Sequence, residues 1–250
     1  MLALSNKRKP ISASDVMSEA DIHNSLRTFY GLKLDEYQEK FRDMLWDESK
    51  RIVFCNARAG SGKTTIALGV ANLLYHSGRY NGIIYIISPT QEMRQGYLPG
   101  DQEAKSAPYM EPLIDTLLKL GINPMTSVIS SENMSSQKNG LAYIKAIPHT
   151  YLRGSDIDGS KVVILDESQN FYVSDLQKTL SRVHDTCKTI VIGHMGQIDL
   201  YKNPKNSGFK KAIDLYMSKN DERAAFCELK INHRGWVSSV ADELESEIQA

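Results

Sequence analysis

Apolar residues in this chain gather in short β-branched runs separated by stretches of helical spacing. Four runs stand out: "IVFC" at 52–55, "IIYIIS" at 83–88, "VVILD" at 162–166 and "TIVIG" at 189–193. None alternates between apolar and polar positions, which is the mark of strands covered on both faces, and helical-period segments lie between most of them. The pattern predicts an α/β fold with an open, mainly parallel sheet and helices on both faces. A fifth run, "FCELKI" at 226–231, precedes "WVSSVADELESEI", in which Trp236, Val237, Val240, Leu244 and Ile248 fall at helical spacing. A closing strand and helix are expected there. From about Pro89 to Gly140, scattered Pro, Gly and Ser break the pattern, so an insertion is expected with one helical piece near "EPLIDTLLKL", before "LAYIKAIPH" returns to strand. Residues 1–30 read as an N-terminal tail and lead-in helix, disordered over about the first 15, and 31–250 as one domain.

At 250 residues the chain is long enough for one sizeable core. Lys+Arg and Asp+Glu both number 30, a balance that neither selects nor excludes a nucleic-acid partner, since a local basic groove can coexist with it. No apolar run approaches the ~18 residues of a membrane span, and "MLALSNKRKPISASD" at the N-terminus has no apolar stretch followed by a cleavage site. A soluble, cytoplasmic chain without membrane contact is expected. Cys55, Cys187 and Cys227 show no C-x-x-C spacing and read as reduced and buried.

The chemistry begins where the first strand run ends. "ARAGSGKT" at 57–64 nearly spells the phosphate-binding loop G-x-x-x-x-G-K-[ST], with Ala57 in place of the first glycine. A loop between a buried strand and a helix aims successive N–H groups, together with the positive end of the helix, at one concavity that suits polyphosphate. Ala59, Gly60, Ser61, Gly62, Lys63, Thr64 and Thr65 form that cradle; the glycines permit close backbone approach, Lys63 reaches the outer phosphates and Thr64 offers its hydroxyl to Mg²⁺. Ala57 lies at the strand exit, where ordinary φ/ψ suffices. About a hundred residues on, "KVVILDESQN" ends a strand in two carboxylates, Asp166 for the Mg²⁺ shell and Glu167 to polarise an attacking water. No N-K-x-D base-reading motif is present, which favours ATP over GTP.

In these motifs the chain resembles the PhoH-like proteins, P-loop ATPases whose core is similar to superfamily 1 helicases. The resemblance covers roughly residues 33 to 240 and rests further on "GYLPGDQEAKSAPYMEPLIDTL" at 96–117, "YLRGSDIDGSKVVILDESQN" at 151–170 and "TIVIGHMGQIDL" at 189–200. It implies a RecA-like fold and a γ-phosphate contact through Gln197. His194 replaces the family's aspartate, either as a strand-end cap or with a part in catalysis. "LDEYQ" at 34–38 resembles an adenine-reading element with Gln38 as reader, the alternative being a solvated helix face. "INHRGW" places Arg234 where related cores put an arginine for the γ-phosphoryl group; pairing with the downstream "DELESE" is the alternative. "PTQEMRQ" follows the second strand where helicases contact backbone phosphate, making Arg94 the first nucleic-acid candidate, with Lys105 and Arg153 behind it.

The reading is therefore an ATP- and Mg²⁺-dependent ATPase acting on single-stranded nucleic acid, RNA in preference to DNA. A nucleotide switch or enzyme without nucleic acid, or a structural nucleotide-binding subunit, is the alternative. Because one chain supplies only one RecA-like core, a homo-oligomer is expected, hexameric as the resemblance implies, with active sites shared between chains and Arg234 presented across the interface.

Overall fold

The computed structural model describes residues 17–88, 102–129, 141–152, 156–157, 159–198, 200 and 207–241. The expected tail over the first 15 residues, the Leu-Pro-Gly-Asp turn of the insertion, Arg94, Arg153 and the side chain of Lys105 lie outside the described residues. Six strands make one sheet: β1 Ile52–Ala57, β2 Ile83–Ile87, β3 Ile144–Pro148, β4 Val162–Leu165, β5 Lys188–Gly193 and β6 Ala224–Leu229. Their spatial order is β3-β2-β4-β5-β1-β6, and every pairing is parallel. All six fall on the runs picked out by hydrophobic pattern. The phosphate-loop strand β1 and the acidic strand β4 are separated by β5, giving a RecA-like P-loop arrangement.

The absence of alternation in the strands has its cause in the two layers of helices. On one face α2 (Glu36–Trp46), α3 (Lys63–His76) and α4 (Gln102–Lys119) contribute to a core that includes Val53, Cys55, Tyr85, Ile164 and Ile192, and α1 (Glu19–Thr28) packs against α3. After the short α5 (Pro124–Ser127), α6 (Val173–Leu180) and α7 (Gly208–Ser218) cover the other face, where Phe54, Ile86, Val163, Leu165 and Val191 are buried. Neighbouring residues of one strand thus point into different cores, and both must be apolar. The lead-in helix joins the fold, since Phe29 after α1 is fully buried and the Tyr30 hydroxyl donates to the Gly69 carbonyl of α3 at 3.0 Å. Asn72 of α3 extends the link, donating through Nδ2 to the Tyr30 hydroxyl at 2.8 Å and accepting from the Tyr143 hydroxyl.

The closing strand is followed by helix over residues 236–241, while Leu244 and Ile248 lie outside the described residues; Trp236 and Val237 on this helix are 77% and 75% exposed. The spacing encodes a one-sided helix without naming its partner, and the flank of β1 and β6 is already taken by α2.

Candidate active site

The predicted nucleotide-site residues Lys63, Thr64, Asp166, Glu167, Gln197 and Arg234 meet at the carboxyl ends of the strands, where open parallel sheets bind their ligands. The loop leaving β1 turns through Gly60 (φ 77°) and Gly62 (φ 82°), left-handed conformations that cost glycine little, and α3 begins at Lys63. Ala57 is buried and does not have a positive φ, so the missing glycine removes nothing the turn requires. The loop is braced from two sides. Gln38 Nε2 donates to the Ser61 carbonyl at 2.9 Å, and the His233 N–H donates to the Gly60 carbonyl at 3.0 Å. His233 Nε2 in turn meets Asp35 Oδ2 at 2.7 Å, and Asp35 caps the helix that carries Gln38, so both braces belong to one closed set of contacts.

Gln38 is buried rather than on a solvated face, and its Oε1 accepts from the Asp35 N–H at 3.1 Å. Both ends of its amide are therefore engaged by protein, one of them by the phosphate loop itself. Arg234 lies close to the phosphate loop of its own chain: its Cγ and Cδ stand where a Cβ on Gly60 would come within 2.8 and 3.0 Å. The reason is the sheet order: β6 pairs with β1, and the loop after β6 is delivered onto the loop after β1.

The acidic strand faces this loop. Thr64 Oγ1 donates to Asp166 Oδ2 at 3.0 Å, and Lys63 Nζ stands 3.3 Å from Glu167 Oε1. Asp166 is buried, and burial followed by the neighbouring Glu167 charge pushes its carboxyl above the ordinary range. Glu167 has a left-handed backbone (φ 48°), a conformation costing a non-glycine residue about 1–2 kcal/mol. Its N–H donates to Asp166 Oδ1 at 2.8 Å, and its Oε2 accepts from Gln169 Nε2 at 2.6 Å. The same Gln169 accepts through Oε1 from the His194 N–H at 2.9 Å, while Asn56 Oδ1 accepts from the Met195 N–H at 3.0 Å. The loop that carries Gln197 is thus tied both to the Glu167 carboxylate, through Gln169, and to β1. His194 is buried at the end of β5, and its backbone provides one of these ties.

Gly60, Lys63, Thr64, Asp166, Glu167, Gln197 and Arg234 line one cavity of about 630 Å³, with Ala59 and Thr65 also on its wall. Thr64 and Asp166 together form an oxygen-only donor pair beside a lysine. That set suits Mg²⁺, a hard cation usually held by one or two protein oxygens together with phosphate and water. Among the described residues no group of three or more His, Cys, Asp or Glu gathers as a fuller metal site. Sequence reasoning missed the opposite wall, built by Glu111, Asp115, Thr116 and Lys119 of α4. The four-residue spacing of Glu111, Asp115 and Lys119 marks one helix side, but only the packing of Leu113 and Leu117 into the core turns that side to the cavity. Tyr85, Gln169 and Asn56 were also missed. The first sits in an apolar run and reads as core, and the other two have no spacing signal.

Residues 33–239 match the family model described as PhoH-like protein. Protein PhoH of Escherichia coli (strain K12) is 32% identical over 173 residues, 68% of this chain and 46% of that protein. The PhoH-like protein of Mycobacterium tuberculosis (strain H37Rv) is 30% identical over 180 residues, 71% of this chain and 47% of that protein. The chain spans about half the length of these relatives. Among solved structures, the HK97 bacteriophage large terminase matches 88% of this chain and 44% of its own at 15% identity, with a TM-score of 0.45. From residue 33 to residue 239, phosphate loop, acidic strand and the Gln197 loop included, this chain belongs to the PhoH-like protein family.

Proposed function

We propose that this chain hydrolyses ATP with Mg²⁺ and couples hydrolysis to single-stranded nucleic acid, RNA in preference to DNA. The observation that carries the reading is the convergence of Lys63, the Thr64–Asp166 pair and Glu167 on one cavity, with Lys63 and Glu167 already in contact at 3.3 Å. A phosphate loop alone would serve a binding subunit. A half-exposed carboxylate directly after the metal-facing aspartate, held in an unfavourable backbone conformation by two partners, serves water activation.

In this mechanism the backbone N–H groups of the loop and the α3 terminus bind the phosphates. Lys63 exchanges the Glu167 carboxylate for a phosphate oxygen, and the released carboxylate turns to orient the water. Gln169 limits that turn to one arc. Thr64 and Asp166 would hold Mg²⁺, which would supply positive charge against that developing on the phosphate oxygens. Gln197 meets the γ-phosphate, and Arg234 supplies a further positive charge from its seat on Gly60.

Arg94, Lys105 and Arg153 are the proposed nucleic-acid contacts, taken from their places in the sequence. The chain is further proposed to act in the cytoplasm as a homo-oligomer, a hexamer in the form the resemblance implies, with a neighbouring copy completing the walls of each cavity. The deciding measurement is ATP turnover with and without single-stranded RNA and DNA across a range of salt. Stimulation that falls steeply with salt is expected, as for phosphate contacts. Turnover indifferent to both nucleic acids at low salt would replace this reading with a nucleotide switch.

A further inference from the structure

We propose that Tyr85, on β2, is a positioning residue for the cation end of the site: its hydroxyl fixes the metal-facing carboxylate of Asp166 before any cation arrives. The inference rests on the nucleotide reading above and goes beyond the loop and strand motifs that suggested it.

Tyr85 is the one polar side chain in a strand otherwise made of Ile83, Ile84, Ile86 and Ile87, and it is 1% exposed. A phenylalanine would fill the same core space. A phenol oxygen placed there is costly unless it finds a partner. Its partner is specific: the hydroxyl donates to Asp166 Oδ2 at 2.5 Å and also borders the cavity wall.

Three donors converge on that carboxylate. Thr64 Oγ1 shares Oδ2 with Tyr85, at 3.0 Å, and the Glu167 N–H holds Oδ1 at 2.8 Å. One donor on each oxygen sets the plane of a carboxylate, and Tyr85 supplies the Oδ2 anchor from the sheet rather than from the phosphate loop. The consequence falls on Thr64. With Asp166 held still, the Thr64 hydrogen has a fixed acceptor, and its lone pairs are left to face the phosphate side, where a hard cation would need them. Without Tyr85, Thr64 and Asp166 orient only each other, and the arrangement must be assembled when the cation binds. Partners one shell out from metal ligands are typically worth about 10–100-fold in metal affinity.

The experiment compares the parental chain with Tyr85→Phe, which keeps the buried ring. Labelled ATP is titrated in EDTA, and then at fixed nucleotide while Mg²⁺ is raised. Affinity in EDTA is expected to stay within about twofold, since the loop and Lys63 are untouched. The Mg²⁺ concentration giving half of the affinity gain is expected to rise about 10–100-fold, and turnover at saturating Mg²⁺ to return to within a few-fold of the parental value. A purely structural tyrosine would instead lower the thermal midpoint and EDTA binding together and leave the Mg²⁺ half-point in place; that result overturns the proposal. If the parental chain itself binds ATP with no Mg²⁺ dependence, the nucleotide reading fails and the role of Tyr85 fails with it, an outcome distinct from a parental response that Tyr85→Phe leaves unchanged.

Discussion

Lys63 and Glu167 touch each other at 3.3 Å, yet the proposed mechanism asks opposite things of them. Lys63 is nearly buried and its charge serves binding, whereas Glu167 is half exposed and its carboxylate serves the water. Lys63→Ala is therefore expected to abolish ATP binding. Glu167→Gln keeps the loop, keeps an acceptor for Gln169 and loses only the base, so it should bind normally and turn over about 10²–10⁴-fold more slowly. Labelled-ATP titration beside single-turnover hydrolysis separates the two; ATP binding by Lys63→Ala at parental affinity, or Glu167→Gln at parental rate, would remove the corresponding role. Both residues were legible in the sequence because each sits at a fixed offset from a strand end. Tyr85 and Gln169 were not, since their roles arise only when β2 is laid beside β4 and the end of β5 beside the turn after β4. Contacts between distant segments leave no spacing to read.

At the scale of elements, hydrophobic runs located all six strands, because strands buried on two faces have little freedom in composition. Helix partners were less legible, as the exposed Trp236 and Val237 show. One element contact has a consequence for pH. Lys188, the first residue of β5, is buried and its Nζ donates to the carbonyls of Asp47 and Lys50 at 2.6 and 2.7 Å, just past the end of α2. It fixes the C-terminal end of the helix whose N-terminal end carries Gln38. Burial pulls its ammonium down to about 7, against the raising effect of Asp47. A lysine depressed in the folded state releases its proton earlier than in the unfolded chain, near 10.4 in model peptides. Its contribution to stability is therefore full above the unfolded value and lost as pH falls toward about 7. Thermal denaturation at steps from pH 7 to 9.5 should show the parental chain gaining on Lys188→Met as pH rises. Parallel curves would mean that Lys188 titrates alike in both states.

For the whole molecule, the strand order sets where Arg234 lies within its own chain. Because β6 lies beside β1, Asn232, His233 and Arg234 come down on the phosphate loop of their own chain. The Asn232 side chain accepts from the Arg234 N–H at 2.8 Å, which fixes the turn from which the arginine extends. An arginine at a transferring phosphoryl group is worth roughly 10³–10⁵ in rate whether it comes from the same chain or another. Arg234→Ala and Lys63→Ala should thus each be nearly inactive, the first while still binding ATP. The informative experiment mixes them. If Arg234 served a neighbour, some interfaces of a mixed oligomer would pair an intact loop with an intact arginine, and part of the activity would return. With Arg234 seated on its own Gly60, every site keeps the defect of its own chain, and mixed assemblies should show only the sum of the two residual rates. Differently tagged subunits, recovered together before assay, establish that mixing occurred, and sedimentation reports the oligomer itself. Recovered turnover in such mixtures would show that Arg234 leaves its seat on assembly, and a parental chain that sediments as a monomer at full turnover would remove the oligomer from the mechanism.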